Sequence, residues 1–192
     1  MRFGVFYEHQ IPRPWDPDSE LRQFQQALDQ VALADRLGFD VAWQVEHHFM
    51  EEYSHSSAPE VFLAAASQRT TNIRLGHAIV QLTTNHPARV AERVATLDLV
   101  SNGRVELGTG EGSSVTELHP FNRRRRDKRA VWEEAIQVLT GMLTSDRFEW
   151  HGEWFDFPAR NVIPKPVQHP HPPLWVACSN IQTIEMAARR GL

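Results

Sequence analysis

The run Val45-Glu46-His47-His48-Phe49 puts an acid and two histidines at the end of a segment otherwise rich in Phe, Val, Ala and Trp. A buried strand has no use for three titratable groups unless it has reached an edge, a cavity or a reacting molecule. Imidazole titrates at about pH 6.5, so a histidine among carboxylates can take or give a proton near neutrality. Taken alone, His47 also reads as a loop residue satisfied by water or a backbone carbonyl. The ten histidines raise metal binding as a second chemistry. Adjacent residues of a strand point to opposite faces, which keeps His47 and His48 from chelating one ion together. Glu46 and His48 do share a face, but no His-x-His pair occurs on the first three strands, and no metal site is expected.

Other clusters follow apolar runs in the same way. Glu8 and His9 come after Arg2–Tyr7, and Thr109, Glu111 and Ser113 come after Val105–Gly108. The stretch Gly108–Ser114, "GTGEGSS", could cradle a phosphate with backbone N–H groups. It has neither the Gly-Lys-Ser/Thr of a Walker loop nor the prompt helix of a dinucleotide fingerprint, so a wide turn is the plainer reading. The basic run Arg123–Arg126, with Lys128 and Arg129 beyond Asp127, could hold an anionic cofactor or form a solvated loop before a helix. Only Phe121 and Trp132 stand near it, which gives nucleic acid too few aromatic partners. Cys178 lies in an apolar run and reads as a small core residue.

The elements that must position these groups alternate between strands and helices. "RFGVFY", "FDVAWQVE", "IRLGHAIVQL", the run after "NGR" and "PPLWVACS" read as five strands. The first helix, from Asp18 or Ser19 to Gly38, carries Leu21, Phe24, Leu28, Val31, Ala32 and Leu37 at three- and four-residue steps. "APEVFLAAASQRT" and "HPARVAERVATLDLVS" read as helices with Pro59 and Pro87 near their starts. A helix over about Asp127–Leu143, a hairpin around His151-Gly152 and a last helix in "IQTIEMAARRG" complete the series. Asn161–Pro173 holds five of the twelve prolines and reads as a stiff loop. Near-continuous apolar strands alternating with helices predict an α/β fold with a parallel sheet covered on both faces. Pattern alone leaves an open doubly wound sheet and a (β/α)8 barrel as alternatives. In both, ligands bind at the carboxyl ends of the strands.

Composition narrows the partners. The chain has 192 residues, 41% of them hydrophobic, and a formal net charge of −4. That balance gives no reason to expect nucleic acid or an anionic membrane surface. One cysteine excludes an intrachain disulfide. The N-terminus "MRFGVFYEH" lacks the charged-then-apolar pattern of a signal peptide, and no apolar run is long enough to span a bilayer. A soluble cytoplasmic protein is expected.

In order and spacing, these segments resemble the bacterial-luciferase-like family of flavin-dependent oxidoreductases. The resemblance rests on "MRFGVFYE", on "ALADRLGFDVAWQVEHHF", on "IRLGHAIVQLTTNHPARVAERVATLDLVSNGRVELGTGEG" and on "PPLWVACSNIQTIEMAARRGL". It covers essentially the whole chain. It implies a (β/α)8 barrel of TIM type, with residues 1–192 forming a single domain that holds the first five βα units. The implied cofactor is reduced FMN, supplied by a separate NAD(P)H:flavin reductase. The implied activity is a monooxygenase that uses O2 to oxidise an aldehyde, sulfonate or similar small molecule, often as a homo- or heterodimer. A deazaflavin (coenzyme F420) hydride-transfer enzyme of the same superfamily, or a non-catalytic flavin-binding subunit, are the alternatives. His47 matches the family's active-site histidine, with Glu46 beside it. Ala78-Ile79 match a non-proline cis peptide under the flavin. Gly110 and Glu111 match the cofactor contacts after the fourth strand, and Ser179 and Asn180 match the region receiving the FMN phosphate.

Two departures qualify the resemblance. Luciferase carries a Cys-Arg pair where this chain has Gly110-Glu111, and a glutamate cannot neutralise phosphate unless Arg124–Arg126 fold over it. The match also ends after the fifth unit, so the barrel is expected to be truncated, with two long sheet edges exposed.

Overall fold

The computed structural model describes residues 1–192. Five parallel strands form one sheet in the order β1-β2-β3-β4-β7: Gly4–Tyr7, Val41–Gln44, Arg74–Gln81, Val105–Gly110 and Leu174–Val176. The helices are α1 (Ser19–Arg36), α2 (Pro59–Ser67), α3 (Pro87–Val100), α4 (Val115–Leu118), α5 (Lys128–Thr144) and α6 (Ile181–Arg190). A separate antiparallel hairpin pairs β5 (Phe148–His151) with β6 (Asp156–Arg160). No helix is long and apolar enough to cross a membrane.

The register sorts side chains onto two faces. Val5 pairs with Ala42, Ala42 with Leu75, and His77 with Leu107. This face packs against the helices, and Ala42, Leu75, His77 and Leu107 are all buried. The other face carries Phe6 opposite Trp43, and Trp43 opposite Gly76. Trp43 lies flat against β3, where a Cβ on Gly76 would come within 2.1 Å of its ring. Trp175 meets Trp43 edge-on with ring centroids 5.5 Å apart and donates from Nε1 to Glu106 at 2.7 Å. Phe6 and Trp175 remain 56% and 46% exposed on this face. The two sheet edges are short, four residues in β1 and three in β7, and not the long edges expected from the sequence.

Local chemistry explains the helix positions. Pro59 and Pro87 occupy the first turns of α2 and α3, where a missing N–H costs nothing. His86 caps α3, its Nδ1 accepting from the Ala88 amide at 3.2 Å. In α1 the buried stripe is Ala27, Leu28, Val31 and Ala34. Leu21 and Leu37, expected in that stripe, are exposed because they sit in the first turn and at the C-cap. The Ser101-Asn102-Gly103-Arg104 turn is a structural clasp. Asn102 and Gly103 take φ of 57° and 76°. Arg104 then donates to the carbonyls of Ser67, Thr70, Ile73 and Ser101 at 2.8–3.2 Å, tying α2 to β3 and β4. The proline-rich stretch is held at two points. Lys165 Nζ donates to the carbonyls of Met142 and Ser145, both at 2.7 Å, and the Gln168 side chain donates to buried Asp98 at 2.7 Å.

Candidate active site

β2 ends at Gln44, so Glu46, His47 and His48 lie beyond the strand and the two-face argument does not govern them. The loop is tied back instead. The His47 amide donates to Ser56 O at 2.8 Å, and Ser56 Oγ donates to Val45 O at 2.6 Å. Phe49 takes φ 61°, a left-handed turn that ends the run. Glu46 is then held from three directions: Oε2 accepts from the Gln81 amide at 3.0 Å, and Oε1 from Asn85 Nδ2 at 2.8 Å and His48 Nε2 at 2.9 Å.

The partner of His47 is a residue that sequence reasoning missed. Glu117, in the single turn α4, is 1% exposed. Its Oε1 accepts from His47 Nδ1 at 3.0 Å, Gln81 Nε2 at 2.7 Å and the His48 amide at 3.1 Å. A carboxylate only accepts, so the proton of this bond sits on Nδ1. Burial works against a charged imidazole at His47. The hydrogen bond and charge of Glu117, with Glu8 and Glu46 adding, outweigh it and raise the pKa above the ordinary histidine value. Burial likewise opposes a charged Glu117, but its bonds from His47, Gln81 and the His48 amide prevail and hold its pKa below the usual range. The two shifts agree on an ion pair. On its other side, His47 Nε2 lies 3.8 Å from Glu8 Oε2.

These groups form one wall of a pocket of about 440 Å³ at the carboxyl ends of β3, β4 and β7. Glu46, His47, Ala78, Ile79, Gly110, Glu111, Ser179 and Asn180, all singled out from the sequence, line it together. The Ala78–Ile79 peptide is cis. Gly110 keeps space open, since a Cβ there would lie 2.8 Å from Ile79 Cδ1. Glu117 Oε2 and Gln81 Oε1, buried on residues of the same wall, have no hydrogen-bond partner in the protein.

Lys128 and Arg129, at the start of α5, are the cations that reach the pocket. Arg124 and Arg126, whose folding over Glu111 was the condition for phosphate binding beside it, pair with Asp127 and stay exposed. Lys128 Nζ lies 3.1 Å from Glu111 and Arg129 Nη1 lies 3.7 Å from it. Across the same pocket stands the N-terminus of α6, where Asn180 Oδ1 accepts from the Thr183 amide at 3.0 Å. Cys178 lines this rim and is exposed, not a core residue, because β7 stops at Val176. No set of three or more His, Cys, Asp or Glu side chains is arranged to hold a metal ion.

His9, placed at the rim by sequence, is turned into the core. With φ 53° its ring stacks on Phe24 at 4.4 Å and meets Phe62 edge-on at 4.8 Å. Burial pushes its pKa down to about 4. Thr109 is buried too, accepting from Trp132 Nε1 at 3.2 Å, whereas Ser113 reaches the pocket.

A family model described as luciferase-like monooxygenase matches residues 1–192, and the chain belongs to this family. The oxygenase component of the flavin-dependent trigonelline monooxygenase of Acinetobacter baylyi is 30% identical over 199 residues, a match covering 100% of this chain and 52% of that protein. Monooxygenase RslO1 of Streptomyces bottropensis has the same fold with a TM-score of 0.92 and 31% identity, across 100% of this chain and 58% of its own. Two solved structures at 21% identity show the fold alone. The oxygenating constituent of Pseudomonas putida 3,6-diketocamphane monooxygenase, in complex with FMN, has a TM-score of 0.88 over 100% of this chain and 56% of its own. The coenzyme F420 dependent tetrahydromethanopterin reductase of Methanopyrus kandleri has a TM-score of 0.74 over 97% and 52%. The chain spans about half the length of the curated relatives it matches. The five parallel strands are thus part of a luciferase-like TIM-type barrel.

Proposed function

We propose that this pocket holds reduced FMN and serves a flavin-dependent monooxygenase that oxidises a small organic substrate with O2. The observation that carries this reading is the polarity of one pocket. A histidine–carboxylate pair lies on one wall, and Lys128, Arg129 and the start of α6 lie on others. An isoalloxazine ring with a phosphate tail needs both kinds of surface. The residues fit such a group on three counts. A volume of about 440 Å³ lies in the range of cofactor sites. The glycine at 110 leaves room that a side chain would fill. The unpartnered acceptors Glu117 Oε2 and Gln81 Oε1 suit a ring that brings N–H donors.

Bound reduced FMN would supply the electrons with which O2 is activated. The protein's part is to hold, shield and move protons. Ala78 and Ile79 offer an apolar floor, and Lys128, Arg129, Ser179 and Asn180 would hold the tail. His47, kept charged by Glu117, presents Nε2 as a proton donor and returns to its charged form through the same pair. Because the trigonelline relative is an oxygenase component, we assign the supply of reduced flavin to a separate NAD(P)H-dependent reductase in the cytoplasm.

Anaerobic titration of the full chain with photoreduced FMN, then mixing with O2, tests the reading. One FMN bound per chain and oxygen-dependent turnover lost in His47→Ala are expected. Binding of deazaflavin in preference to FMN, with turnover indifferent to O2, would replace it with the hydride-transfer reading.

A further inference from the structure

We infer that Glu111 is a built-in rival of the cofactor's phosphate, and that it sets how strongly this pocket tells a phosphorylated flavin from an unphosphorylated one. The inference rests on the flavin reading above and concerns only the tail. Glu111 stands on the pocket wall directly after β4, one residue beyond Gly110. Both cations that reach the pocket are already engaged with it, Lys128 at 3.1 Å and Arg129 at 3.7 Å. Each has a further anchor: Lys128 Nζ donates to Gly112 O at 2.9 Å, and Arg129 Nε to Glu133 at 3.0 Å.

A phosphate monoester entering this end meets two positive charges that Glu111 already partly neutralises. It must displace the Glu111 carboxylate from them or share them with it, and a dianion beside a carboxylate raises the cost of either arrangement. The flavin ring, held at the other wall, does not feel this competition. Glu111 thus lowers the affinity for the tail without touching the affinity for the ring. The partial exposure of these groups keeps the competition modest and sensitive to salt.

The test compares FMN with riboflavin, which lacks the phosphate, on the full chain and on Glu111→Gln. Glutamine keeps the shape and removes the charge. Glu111→Gln is expected to tighten FMN binding about tenfold, with riboflavin unchanged and the gain shrinking as salt rises. Lys128→Gln is expected to move FMN the opposite way, again sparing riboflavin. If the two flavins tighten or weaken together in Glu111→Gln, or the FMN-to-riboflavin ratio stays at its wild-type value, Glu111 is no rival of phosphate. If the unmodified chain binds neither flavin, the cofactor reading itself fails and takes this inference with it.

Discussion

His47 Nδ1 lies 3.0 Å from Glu117 Oε1, and the carboxylate that holds it is among the most buried charged groups of the chain. The two residues are seventy positions apart in sequence. Each favours the charged form of the other, which ties the protonation of His47 to a group shielded from solvent.

Removing that charge moves the histidine. In Glu117→Gln, the pKa of His47 is expected to fall, since burial then acts with less opposition. The limb of the turnover–pH profile set by His47 shifts to lower pH, and histidine NMR titration reports the same direction. His47→Ala is expected to cost about 10²–10⁴-fold in turnover, the usual reach of acid–base catalysis. An unmoved profile in Glu117→Gln would detach the carboxylate from the proton step.

Acid should unfold this protein through its neutral histidines. Burial lowers the pKa of both His9 and His77 to about 4 from an ordinary 6.5. Between those values the unfolded chain binds more protons than the folded one, so stability falls as pH falls through that window. Each group contributes at most on the order of 3 kcal/mol. The His47–Glu117 pair has different limits. The His47 share is full below the ordinary histidine pKa and is lost as pH rises through the raised one. The Glu117 share is present above the ordinary carboxylate pKa and is lost as pH falls through the lowered one. Melting curves from about pH 7 to about pH 4 on the wild type and on His77→Gln check this. The expected result is a smaller acid loss in the variant, and an identical loss would contradict it.

Gly76→Ala is expected to destabilise the fold by about 1–3 kcal/mol, because the new methyl falls within 2.1 Å of the Trp43 ring and forces it off β3. Chemical denaturation measures the loss. Unchanged tryptophan emission would mean that the indole does not rest there.

Glu134 organises the β5–β6 hairpin from α5, accepting from Trp150 Nε1 at 3.0 Å and from the amides of Glu153, Trp154 and Phe155 at 2.9–3.2 Å. Glu134→Ala is expected to cost about 1–3 kcal/mol and to open the hairpin locally. Hydrogen exchange over residues 148–160 should accelerate while exchange in β3 and β4 holds. Uniform acceleration would point to global loss instead.

What was legible in the sequence follows from period and from chemistry-bearing pairs. The five parallel strands and the hairpin stand where apolar runs and turn residues put them, with ends trimmed, as in β2, which stops two residues before Glu46. His47 announced itself because an acid and two histidines ended an apolar run. Glu117 could not, since α4 has four residues and no periodicity to read. Lys128 and Arg129 were hidden inside a basic run, and only the start of α5 at Lys128 turns them toward the pocket while Arg124–Arg126 stay exposed. His9 was misplaced because it was read by its place just past the strand end, whereas it keeps the face of Val5 and Tyr7, and its ring stacks on Tyr7 and Phe24 under the helices.

The position of β7 along the chain has a consequence for assembly. It pairs with β4, and the hairpin and the proline-rich stretch intervene before the chain returns to the sheet. Ala177–Asn180 and Thr183, which close the pocket, arrive with it. During synthesis the histidine wall can be in place while the pocket is still open along one side, so the pocket takes its shape only once β7 has docked. Any ligand bound there then acts as a bolt between the histidine wall and β7 with α6, joining parts of the pocket that lie far apart in sequence.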